Sequence, residues 1–296
     1  MQFGVFSVSD ITTDPTTGRT PTEHERIKAI VEIAKKSEEV GLDVFALGEH
    51  HNPPFFSSSP TTTLGFIAAQ TERIILSTAT TLITTNDPVK IAEDYATLQH
   101  LVDGRMDLML GRGNTAPVYP WFGKDMGKAI ELTIENYQLL RRLWTEELVT
   151  YEGQWHQLDR MGINPLPVQR PIPIWMGGGA VPAVLERIGR LGDGWLAHEP
   201  RAGESVTEAM ALVRASAERA GRDPDAIGLQ GRIDVHGPLD RDRFHRSLDA
   251  WLAAGATHLS LHANGQGGAP AHLELVPTFA DLVREHLDLP PKELPT

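Results

Sequence analysis

An acid, two adjacent histidines and an amide stand together at Glu49, His50, His51 and Asn52, directly after the apolar run DVFALG. That set suits three roles: a metal site, a catalytic base or a structural corner. Neighbouring strand residues point to opposite faces, so His50 and His51 are poorly placed to hold one ion together. The chain has no cysteine, which removes thiolate ligands and cysteine nucleophiles. His198, His236 and His262 also follow apolar runs, but carboxylates that would complete a metal set are few, so no metal is expected. A histidine titrating near neutrality is well suited to proton transfer.

Two further stretches fit an anion. GRGNTA (111–116) has the form G-x-G-x-x-A, yet it runs into Pro117 and Pro120 rather than a helix. It is therefore a weak dinucleotide motif. Its useful content is Arg112, a cation between two glycines that let a ligand approach the backbone. MGGGAVPAVLERIG (176–189) places Gly177, Gly178 and Gly179 just before a helix with Pro182 in its first turn. Amides at such a start cradle phosphate, and glycine keeps side chains away. A tight strand-to-helix turn without a ligand has the same composition. Arg112 opposite the turn would complete a site for a monophosphate.

The elements that position these residues alternate. Apolar β-rich runs at 3–8, 43–48, 74–80, 106–110, 172–176, 194–198, 227–236 and 257–262 read as eight strands. Helical periodicity follows at about 22–40, 61–70, 88–101, 126–145, 180–191, 204–220 and 241–254, with a last helix before the Pro-rich tail (289–296). Asp87–Pro88 opens one helix, and Gly41 and Gly104 close two others. Eight strand-then-helix units predict an α/β fold, a (β/α)8 barrel in one domain. Residues 115–171 form an insertion between strands 4 and 5, its later part a hairpin and loop. An open doubly wound sheet is the alternative. In a barrel the site lies at the carboxyl ends of the strands, which gathers Glu49–Asn52, Ala79–Thr81, Gly111–Asn114, Gly177–Gly179, His198, His236 and His262 on one face.

The 296 residues carry a formal net charge of −12, spread along the chain. Nucleic acid or an anionic membrane is thereby disfavoured as a partner. No apolar run reaches the ~18 residues of a membrane span. The opening MQFGVFSVSD lacks a basic leader with a long apolar run, so no signal peptide and a cytoplasmic location are expected.

The stretches GLDVFALGEHHNPPFFSSSP, ILSTATTLITTNDPVKIAEDYATLQHLVDGRMDLMLGRGN and IWMGGG…LGDGWL resemble the bacterial luciferase-like superfamily. The resemblance spans roughly 1–263 and is strongest over 41–114. It implies a (β/α)8 barrel using a flavin or a deazaflavin. His50 would be the base beside the flavin. Arg112, with Asn114 beside it, and the turn Gly177–Gly179 would bind phosphate. A non-prolyl cis bond, by position Ala79–Thr80, would lie under the ring. Luciferases carry an acid and a hydroxyl at the glycine turn and a cysteine at the position of Gly111, all absent here. Phosphate contacts from the turn would then be backbone only. Phe6, Phe55, Phe56, Trp121 and His198 are candidate pocket lining, and 153–171 a candidate pocket wall.

The EHH form resembles the FMN branch. The expected activity is monooxygenation of a small apolar carbonyl compound of alkanal type, using O2 and reduced FMN supplied by a separate reductase. A deazaflavin-dependent hydride transfer is the alternative on the same fold. A non-catalytic flavin-binding protein is the alternative of another class. The resemblance also implies a homodimer, for which the face at Ile91, Tyr95 and Leu98 is a candidate.

Overall fold

A computed structural model describes the whole chain except Val8, Thr16, 199–204, Pro238 and 291–296. Most of the expected tail and one end of the first strand thus lie outside the described residues. Eight parallel strands close on themselves: β1 (Gln2–Ser7), β2 (Val44–Leu47), β3 (Ile75–Thr78), β5 (Met106–Gly111), β8 (Ile174–Gly178), β9 (Gly194–Ala197), β10 (Gly228–Val235) and β11 (His258–Ala263). The order runs β3-β2-β1-β11-β10-β9-β8-β5, and the β3–β5 pairing closes the barrel. The expected third strand is interrupted: after β3 the chain crosses a cis Ala79–Thr80 bond and resumes as β4 (Thr81–Leu82).

The helices form the outer ring: α1 (Glu23–Glu39), α2 (Pro60–Ala68), α3 (Pro88–Leu101), α4 (Ala129–Thr145), α5 (Pro182–Leu191), α6 (Val206–Arg219), α7 (Arg241–Ala253) and α8 (Ala269–Leu287). Local sequence explains their limits. Thr22 and Glu25 form a capping box on α1. The Asp87 side chain accepts from Val89 N–H ahead of Pro88. Gly41 and Gly104 take positive φ beyond α1 and α3. Ile91, Tyr95 and Leu98 are buried within the chain itself. The α3 face considered for dimerisation is therefore spent on the barrel.

The insertion divides in two. Short 3-10 turns at Ala116–Phe122 and Met126–Lys128 follow β5 on the carboxyl face. α4 then carries the chain to the far end of the barrel. There β6 (Val149–Glu152) and β7 (Gln157–Met161) pair antiparallel. Glu135 on α4 accepts from the N–H groups of Gln154, Trp155 and His156, pinning the hairpin to the outside of that helix. Gln169 and Leu166 bond Gln99 and His100 at the end of α3. The tip of the hairpin thus doubles back along α4, while 166–169 packs at the end of α3.

Candidate active site

The His50 corner is built by a closed loop. His50 N–H donates to the Ser57 carbonyl at 2.9 Å, and Phe55 N–H to that of Asn52 at 3.0 Å. Ile11 N–H to Pro54 and Phe56 N–H to Ser9 tie this loop to the end of β1. The loop returns Phe55 onto His50, ring centroids 4.1 Å apart and nearly parallel. The His50 ring has no hydrogen-bond partner among the described residues, and burial holds it below the usual histidine range, with Glu49 opposing and His51 adding to the shift. It is a neutral imidazole at neutral pH, able to accept a proton.

Glu49 does not orient His50. It is 3% exposed and is consumed by structure: Leu82 N–H donates to it at 2.9 Å, the Asn86 amide at 2.9 Å, and His51 Nε2 lies 2.8 Å away. It ties the end of β2 to β4 and the start of α3. The adjacent histidines thus divide, His51 bound to its acid and to Phe122 (4.6 Å between centroids), His50 left for chemistry. Both line a shallow open cleft with Asn52, Leu82, Thr85, Gly113, Asn114 and Tyr119.

Three strand ends meet at Thr80. A Cβ built on Gly111 would lie 2.1 Å from Thr80 Oγ1, and one on Gly177 would lie 3.2 Å from Thr80 Cγ2. The ends of β3, β5 and β8 therefore converge on one side chain. Gly111 is bare because Thr80 fills its place, a different reason from the ligand approach expected for it. Gly113 serves the backbone instead, at φ +80°. Thr84 and Tyr119 hold the Arg112 carbonyl at 2.5 and 2.8 Å. Gly178 is closed over by Val184, whereas a Cβ on Gly179 would meet open space. The N-cap of α5, Val181, brings no side-chain acceptor to that helix start.

Arg187, one turn into α5, had the appearance of ordinary helix-surface charge in the sequence. It is half-buried, and it is lowered below the usual arginine range by burial, then by Arg190 and Arg112. Neither Arg112 nor Arg187 has a carboxylate at ion-pair distance among the described residues. Arg112 and Arg187 are near enough to one another to repel, and Arg187 lies on the helix that follows the glycine turn.

Inside the barrel Phe6, Ala46, Ala79, Met109, Trp175 and Leu196 form one buried apolar cluster, Trp175 at the amino ends of the strands, with Phe55 packed against it. Phe6, Phe55 and Ala79 thus belong to one cluster. Phe56 packs into the larger core. Trp121 departs from expectation: it is 62% exposed. In a 3-10 turn residues i and i+3 share a face, so Phe122 accompanies the buried Tyr119 and reaches His51 instead. His198 is exposed and borders 199–204, outside the described residues. Sequence reasoning also passed over Arg232 and Asp234, which join His262 on the wall formed by β10 and β11. Alternation of inward positions along β10 was the only available indication.

A closed (β/α)8 barrel with a buried histidine at the carboxyl ends of its strands is a scaffold shared by many small-molecule enzymes and does not by itself fix one activity. The chain belongs to the luciferase-like monooxygenase family, whose profile it matches over residues 1–282. The family comprises flavin- or F420-dependent oxidoreductases. Among curated proteins the chain is 28% identical over 255 residues to the F420-dependent glucose-6-phosphate dehydrogenase of Nakamurella multipartita, covering 83% of this chain and 73% of that one. Among solved structures it resembles the monooxygenase RslO1 from Streptomyces bottropensis, with TM-score 0.80, 23% identity and coverage of 97% and 98%. It also resembles an F420-dependent secondary alcohol dehydrogenase, solved with an F420-acetone adduct, with TM-score 0.77, 18% identity and coverage of 96% and 99%. These structural likenesses bear on the fold.

Proposed function

We propose that the chain is a reduced-FMN-dependent monooxygenase acting with O2 on a small, largely apolar carbonyl compound, its flavin reduced by a separate partner enzyme. The observation that carries this reading is the convergence of β3, β5 and β8 on Thr80, which sets Arg112 and the Gly177–Gly179 turn on adjoining strand ends. A flavin phosphate fits these residues. Arg112, Arg187 and the turn's backbone would hold it, with the ring toward Ala79–Thr80 and His50. When bound, reduced flavin supplies the electrons and the oxygen-activating chemistry. The chain does the rest: the apolar side chains of Phe6, Phe55 and Leu196 would keep water from the barrel interior beneath the ring. His50, fixed by its stack on Phe55, moves a proton at an imidazole nitrogen.

A deazaflavin-dependent hydride transfer is the second reading, favoured by the curated relatives named for F420. One experiment separates the two. Protein mixed with reduced FMN, an aldehyde panel and 18O2 is expected to yield a product carrying one labelled oxygen. Absence of label throughout, with F420 bleached in the presence of an alcohol or sugar phosphate, would favour the second reading. Tight cofactor binding without either product would indicate a non-catalytic flavin-binding protein.

A further inference from the structure

His262 lies on the barrel wall diametrically opposite β5, four strands away in either direction around the closed sheet. It pairs in register with Phe6 on β1 and Asp234 on β10. Its ring meets Phe6, a member of the apolar cluster inside the barrel, edge-on at 4.7 Å. Nδ1 lies against Asp234 Oδ1. The other nitrogen, Nε2, is buried and has no partner, in a residue only 6% exposed. Buried polar atoms are seldom left so, because an unmade hydrogen bond costs about 1–3 kcal/mol.

The charges around it fix what Nε2 can offer. Asp234 is shared with Arg232, whose Nε lies 2.9 Å from Oδ1 and whose guanidinium sits over Phe6 at 5.5 Å. Burial, with Arg232 adding to it, outweighs the opposing pull of Asp234 and Asp10 and holds the imidazole neutral. A carboxylate only accepts, so the proton of the neutral ring belongs on Nδ1. Nε2 is then a bare acceptor. We propose that His262 Nε2 is a substrate-recognition site for a hydroxyl or N–H donor, with Asp234 as its positioning residue. The substrate is therefore a hydroxyl- or N–H-bearing compound rather than a plain alkanal. This deepens the proposed function and rests on it only in taking the barrel mouth as the substrate end.

The test uses full-length protein with 15N-labelled histidine, with and without FMN, and two nearly isosteric ketones, 2-hydroxyacetophenone and propiophenone. The expected spectrum shows His262 Nε2 unprotonated and shifted by the hydroxyketone, which binds about tenfold more tightly than its ethyl counterpart, the value of one hydrogen bond. Asp234→Asn preserves volume but frees the tautomer, and should bring the ratio to about one. A protonated Nε2, a resonance moved by neither ketone, equal affinities, or a preference that survives Asp234→Asn would each overturn the proposal. The wild-type measurements decide even if the variant fails to fold. Loss of FMN and F420 binding with the hydroxyketone preference intact would instead count against the proposed function alone.

Discussion

The Thr80 side chain occupies the space that a side chain at Gly111 would need, its Oγ1 2.1 Å from where that Cβ would stand. The contact joins the chain just beyond β3 to the end of β5. Gly111→Ala should therefore destabilise the protein by about 1–3 kcal/mol, as overpacking commonly does. Adding Thr80→Ala should recover a large part of that loss. Denaturant unfolding of the two single variants and the double variant measures the coupling. Additive effects would show that the two sites do not touch.

His50→Ala is expected to leave FMN affinity within a few-fold of wild type and to lower turnover about 10²–10⁴-fold, the usual worth of a positioned acid or base. Burial lowers His50 below its ordinary 6.5. The neutral form then persists as pH falls to 6.5, and the acidic limb of the rate profile lies below that value. Protonation removes the base, so activity declines on the acid side. A pH–rate series on both proteins checks this. Survival of activity in the variant would remove His50 from the chemistry.

Acid should weaken the fold through two other histidines. Burial, then the N-terminal ammonium, pushes His258 down to about 4; burial, then Arg26, pushes His272 down to about 3. Both titrate near 6.5 when unfolded, so below that pH the unfolded chain binds more protons. Stability present above pH 6.5 is lost as pH falls toward the folded values. Asp107, raised to about 6 by burial, acts in the opposite sense, gaining stability as pH falls through 6. Urea midpoints at pH 7 and 4.5 should fall less for His272→Gln than for wild type, by about 2 kcal/mol once converted. Equal pH slopes would show that His272 is not buried neutral.

Much of this was legible beforehand. Strand periodicity located all eight barrel strands, and Gly41, Asp87 and Gly104 mark helix limits through local chemistry visible in any sequence. The break after Thr78 was not legible from propensity, since ILSTAT is β-rich throughout; only the family resemblance pointed to a cis bond there. Arg187 was hidden because a charged residue on an amphipathic helix looks solvated until the partner strand ends are placed. His262 was noticed as a strand end, but its neighbours Asp234 and Arg232 come from pairing across β10 and β11, which sequence order does not show.

The central claim is that Arg112, Arg187 and the Gly177–Gly179 turn clasp the phosphate of a flavin-type cofactor. Its most direct measurement compares affinities for matched cofactors with and without that phosphate: FMN against riboflavin, and F420 against its phosphate-free riboside. The phosphorylated member of one pair should bind about 10²-fold more tightly, since charge-assisted hydrogen bonds are each worth about 1.5–3 kcal/mol. Arg112→Ala should erase most of that difference, and Arg187→Ala part of it. Equal affinity within both pairs, or a phosphate preference untouched by Arg112→Ala, would contradict the account.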